Sequence, residues 1–166
     1  MKNKLLQDAD RLRERLAEAG EAHRSNDEVR FCSLVASLMR DYPLCTPAMV
    51  YVALANQKKD VLPRDEDSRT WLEAAVRLDP SSLEALEELA HYVGLWEGSE
   101  QALPIFARLK AKALEGLRRA IGAQLECLDY LERKDELKQV LGQAKVFFPD
   151  HPDTENWSRI YGAEDR

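Results

Sequence analysis

Pro43, Pro80 and Pro149 each close a stretch in which apolar residues recur at steps of three and four. That spacing puts apolar side chains on one face of an α-helix. A proline ends such a helix because it has no N–H to donate and its ring crowds the preceding turn. The chain is therefore cut into helices of ordinary length. The spacings are 37 residues from Pro43 to Pro80 and 69 from Pro80 to Pro149, so the cuts fall at about one interval and two.

The stripes predict the helices one by one. Leu5, Ala9, Leu12, Leu16, Ala19 and Ala22 mark the first. Ser25-Asn26-Asp27-Glu28 reads as a capping box for the second, in which Val29, Phe31, Cys32, Leu34, Val35, Leu38 and Met39 are apolar. Thr46-Pro47 opens the third, with Ala48 to Gln57 as its body, and Lys58 to Asp67, with Pro63, reads as a loop. Trp71, Leu72, Ala75, Val76 and Leu78 are expected to face inward from the fourth. Ser81-Ser82-Leu83-Glu84 reads as a second capping box, and Gly94 and Gly98 bracket the turn after the fifth helix. Ala102, Leu103, Phe106 and Leu109 mark the sixth, with a helix change expected near 111–116 and one long helix as the competing reading. Leu137, Val140, Leu141, Ala144 and Phe147 mark the next, and Pro152-Asp153 opens a last one carrying Trp157, Ile160 and Tyr161.

Composition agrees. Hydrophobic residues make up 45% and charged residues 33%, while Gly and Pro number seven each, so helix formers are abundant and breakers few. The net charge of −6 argues against nucleic acid and anionic lipid as partners over most of the surface. No apolar run approaches the roughly 20 residues of a membrane span, and none after Met1–Asp8 reads as a signal sequence. Cys32, Cys45 and Cys127 are odd in number and far apart, which fits reduced thiols packed in or beside the core and a cytoplasmic location.

Ser68 to Pro80 resembles the second helix and closing proline of a tetratricopeptide repeat, and Glu84 to Ala90 resembles the first helix of the next. Ala102 and Phe106 match the small and aromatic positions of its second helix. The family period is about 34 residues, close to the proline spacing. The Gly-Asp-Tyr turn typical of the family is missing. The resemblance implies an all-α fold without a sheet, an α-α superhelix of antiparallel helix hairpins with about eight helices in a single domain. The units fall at about 4–43, 46–80, 81–114 and 115–149, with a capping helix at about 152–162.

Motifs for chemistry are missing: the glycines are dispersed, and neither a Gly-x-Ser-x-Gly elbow nor a paired Cys-x-x-Cys occurs. Glu88 and His91 share a helix face, but helical di-iron sites need a second such pair, so no metal and no cofactor is expected. His23 and His151 fall in turns, Trp71 and Trp157 read as core, and Trp96 as a packed staple at a turn. Arg108, Lys110, Lys112, Arg118 and Arg119 form the main basic stretch, which wraps around more than one helix face and reads as solvated surface.

In tetratricopeptide-like proteins the first helix of each pair lines a concave, partner-binding surface. The resemblance then assigns Val50, Tyr51, Leu54 and Lys58 to that surface from one unit, and Glu84, Glu87, His91 and Leu95 from the next. Glu14 and Glu18 would add to it from the first helix, and Arg119, Ala123 and Glu126 from the fourth unit. The family's carboxylate clamp needs Lys and Asn where this chain has Val50 with Leu54 and Glu87 with His91, so chaperone tails are not the expected ligand. The expected function is a non-enzymatic adaptor or chaperone-like module for a basic or amphipathic protein segment. The alternatives are a self-assembling structural protein, with homo-oligomers left open, and a regulatory domain contacting nucleic acid through 108–119.

Overall fold

The computed structural model describes the backbone of residues 2–58 and 66–161, and the side chains within those ranges except Lys2, Asn3, Leu5, Lys58, Glu66 and Asp67. Within them the protein is all-helical, without a strand. The elements are α1 (Lys2–Arg24), α2 (Glu28–Asp41), α3 (Thr46–Lys58), α4 (Glu66–Leu78), α5 (Leu83–Trp96), α6 (Ser99–Tyr130), α7 (Lys134–Phe147) and α8 (Pro152–Tyr161). None of these is long and apolar enough to cross a membrane. The loop expected over Lys58–Asp67, with Pro63, lies mostly outside the described residues. The chain divides into two compact units, Met1–Leu109 and Lys110–Arg166.

In the first unit each helix packs on its sequence neighbour from α1 to α5, and α3 also touches α1 and α5. Composition explains why α3 takes the centre. Ala48, Met49, Val50, Ala53 and Ala55 are all buried, so the helix is apolar nearly all round and must be covered on several sides. One core cluster sits between α1, α2 and α3, built on Ala19, Phe31, Val35 and Leu38. A second sits between α3, α4, α5 and the start of α6, built on Val50, Leu72, Ala75, Leu86 and Ala102. Leu54 and Met39 pack against both. Ser68, buried on α4, donates from its hydroxyl to the Ala53 carbonyl at 3.2 Å, so its burial costs little. In the second unit Ile121, Leu125 and Leu128 of α6 meet Leu137, Val140, Leu141 and Ala144 of α7, with Trp157 and Tyr161 of α8 against them.

Several local expectations change. Asp27, not Ser25, caps α2, accepting from Arg30 N at 3.1 Å. The Ser25 hydroxyl instead donates back to the Glu21 and Ala22 carbonyls at the end of α1. Ser82 caps α5, so Glu84 stands one position too early to return the bond of a capping box. Gly94 lies inside α5 and His23 inside α1. No helix change occurs at 111–116: Gly116 and Gly122 lie within the continuous α6. A glycine costs a helix about 1 kcal/mol relative to alanine, which weakens it without ending it. Val29, Leu78, Leu103, Phe147 and Ile160 are exposed rather than inward, and so is Cys127, while Cys32 and Cys45 are half-buried thiols. Trp96, expected as a packed staple, is exposed beside Tyr92.

Candidate protein-docking face

The turn before α5 fixes which side of that helix faces out. The Asp79 carboxylate accepts from Ser81 N at 3.0 Å and from the Ser81 hydroxyl at 2.6 Å. Ser82 then accepts from Ala85 N at 3.2 Å and starts the helix. From that start Ala85, Leu86, Leu89, Ala90 and Val93 turn into the core. Positions 84, 87, 88, 91 and 95 therefore share the opposite side. At the far end Glu97 N and Gly98 N both close on the Val93 carbonyl, and Gly98 takes a φ of 115°, a conformation suited to glycine.

Phe106 of α6 contacts this region, and Tyr51 of α3 lies near enough to Glu84 to feel its charge. The Phe106 ring stands edge-on to His91 with centroids 5.4 Å apart. Tyr51 is half-buried, edge-on to Phe31 at 5.8 Å. Burial raises the Tyr51 phenol above its ordinary range, the Glu84 charge adds to that, and Arg24 of α1 opposes it. Burial also raises the Glu84 carboxyl, with Glu87 reinforcing the shift. For Glu88 burial again leads; His91 opposes it, and Glu87 and Glu84 reinforce it. Glu87 and His91 approach to 3.9 Å.

Among the described residues no Lys or Arg forms an ion pair with Glu84, Glu87 or Glu88. Some carboxylates elsewhere are matched: Asp41 by Arg15 at 2.6 Å, Glu21 by Arg24 at 2.8 Å, and Glu73 and Glu97 by Arg69. The carboxylates of the α5 face thus stand together on one side of the helix, where the charge of Glu87 raises both Glu84 and Glu88.

The residues assigned to the concave surface from sequence do not all share one situation. Glu84, Glu87, His91 and Leu95 do share the outer side of α5, and Leu95 is 77% exposed. Tyr51 and Leu54 are only partly accessible, and both pack on the cores. Val50 is a correction: at 0% exposure it belongs to the core and cannot contact a partner without unfolding α3. The Lys58 side chain lies outside the described residues. Glu14 and Glu18 are exposed on α1, and Arg119, Ala123 and Glu126 on α6 in the second unit. Sequence reasoning weighed Glu88 only as a metal ligand and missed Phe106 as the neighbour of His91. A carboxylate one turn before a histidine was visible, but the cross-helix contact was not.

Other candidate sites hold less. Among the described residues no three His, Cys, Asp or Glu side chains converge on a point that could hold a metal ion. The basic stretch is partly neutralised. Arg118 binds Glu115 through two nitrogens at 3.0 Å and Asp153 at 3.0 Å, and Arg119 binds Glu115 at 2.8 Å. These bonds hold the Glu115 carboxyl down to about 2. A cavity in the second unit, lined by Arg118, Ile121, Leu125, Thr154 and Trp157, has about 20 Å³ of room, enough for a water molecule.

No protein-family model matches the chain, and no curated protein sequence matches it.

Proposed function

We propose that the protein is a non-catalytic binding module of the tetratricopeptide-like kind, and that it holds a segment of a partner protein against the outer side of α5. The observation that carries this reading is the set of carboxylates at Glu84, Glu87 and Glu88. Among the described residues they form no ion pair with Lys or Arg, and exposed His91 and Leu95 lie on the same side of the helix. The packing order supports it: α3 touches α1 and α5 as well as its sequence neighbours, as first helices of successive hairpins do. Cys32, Cys45 and Cys127 as free thiols fit a cytoplasmic setting.

Exposed positions make better tests than Tyr51 or Leu54, whose truncation would also open the core. A photo-crosslinking residue placed at His91 is expected to trap a partner in the native cell, and the same residue at Lys145 on α7 is not. Trapping from position 145 alone would overturn the assignment. Self-assembly is the second reading, favoured by Tyr130, Leu131, Val146 and Phe147, which are exposed in the second unit. Sedimentation equilibrium across a hundredfold concentration range separates the two: self-assembly requires a mass that rises with concentration.

A further inference from the structure

The α5 face is polarised along its length. Gly94 of α5 lies close to Ala102 of α6, 3.5 Å from a Cβ built at the glycine to the alanine Cβ, and His91 meets Phe106 one turn on. Leu95 and Leu103, the next residue on each helix, are both strongly exposed at this end. The other end is acidic: Glu84, Glu87 and Glu88 precede His91 on the same side of α5. From Leu95 to Glu84 is eleven residues, roughly 16 Å along the axis at 1.5 Å per residue.

Resting on the docking reading above, we infer that the occupant is an amphipathic helix of at least three turns. It sets apolar side chains against Leu95, Leu103 and Phe106, and Lys or Arg against Glu84, Glu87 and Glu88. Two features select this occupant. Three carboxylates gathered on one side of a helix attract a basic segment and disfavour an acidic one by direct repulsion. Their spacing of three, four and seven residues up to His91 forms ridges that another helix matches and an extended chain does not. Phe106, packed against His91 and partly exposed, sits at the junction of the two halves. It is therefore placed to contact the aliphatic stem of the first basic residue.

The test uses the full chain and two synthetic helical peptides, one of Leu and Lys with its apolar and basic residues at opposite ends, the other with Glu in place of Lys. Amide shifts of residues 84–95 and 103–106 report the location, and titration reports affinity. The Leu/Lys peptide is expected to move these resonances. Glu84→Gln, Glu87→Gln and Glu88→Gln together should weaken it about tenfold, the sum of three modest charge contacts. Glu28→Gln, Glu132→Gln and Glu155→Gln, which change the net charge equally at other places, should weaken it less than about twofold. Equal weakening by both triples would mean that net charge alone attracts the peptide, which overturns the inference. Binding of the Leu/Glu peptide to the same resonances would overturn the basic occupant and leave the docking face standing. Shifts elsewhere with either peptide would remove both. Leu95→Ser tests the apolar end independently and should weaken the Leu/Lys peptide without altering the charge.

Discussion

The Tyr51 hydroxyl of α3 rests over Gly20 of α1, 2.9 Å from the point that a Cβ there would occupy. The two helices approach at this glycine, and Tyr51 reaches from the crossing toward Glu84 of α5. Alanine normally stabilises a helix by about 1 kcal/mol over glycine. At Gly142 on α7 nothing lies within 4 Å, so Gly142→Ala should show most of that gain in thermal unfolding. Gly20→Ala should show little or none of it and should shift the Tyr51 ring resonances. An equal gain at both positions would contradict the close approach.

The carboxylates on α5 give an unusual pH dependence. Burial raises Glu84 and Glu88; Glu87 reinforces the shift at Glu84, and Glu87 and Glu84 reinforce it at Glu88 against His91. A raised carboxyl contributes stability that is full below its unfolded value and is lost as pH rises through the folded value. Glu88→Gln is therefore expected to raise the melting temperature at pH 7 and to flatten its decline between about pH 4.5 and 7. Both groups are half-exposed, so the gain is a fraction of a full desolvation penalty. A lower melting temperature at pH 7 would mean that Glu88 has a stabilising partner.

Glu115 acts in the opposite sense. Its carboxyl is lowered to about 2 by hydrogen bonds from Arg118 and Arg119, and Arg118 also reaches Asp153 at the start of α8. A lowered carboxyl contributes stability above its unfolded value that is lost as pH falls toward the folded one. Glu115→Gln should therefore reduce the stability of the second unit at pH 7, and the difference should shrink as pH falls toward 2. Hydrogen exchange of the α8 amides reads this directly. Equal exchange in the two proteins at pH 7 would show the clamp to be idle.

Burial separates two valines that look alike in sequence. Leu72 and Val50 are fully buried in one cluster, whereas Val29 is 85% exposed. Leu72→Ala should cost about 2–5 kcal/mol through transfer and cavity terms. Val29→Ser should stay within about 0.5 kcal/mol of wild type by urea unfolding.

These residues also show what the sequence could and could not convey. The stripe Phe31, Val35 and Leu38 was legible because steps of three and four keep one face. Val29 stands two residues before Phe31, roughly 200° round the helix, so its apolar character is a poor guide to its direction. In α3 the reverse holds: nearly every residue is apolar, no face is distinguishable, and Val50 was assigned to a surface when it is core. On α5 the contrast between buried and charged positions is sharp, so the shared exposed side of Glu84, Glu87, His91 and Leu95 was legible from their spacing. The helix change near 111–116 failed for another reason. Glycine weakens a helix only slightly, and Leu114 to Leu128 supplies helix formers on both sides of Gly116 and Gly122.

Charge reversal tests the central claim most directly. Glu84→Lys with Glu87→Lys leaves the α5 core residues untouched, so helix content by circular dichroism should match wild type. Affinity capture from the native cell, run side by side, should then lose the proteins that wild type retains. Retention of the same proteins in the same amounts would contradict docking at the α5 face.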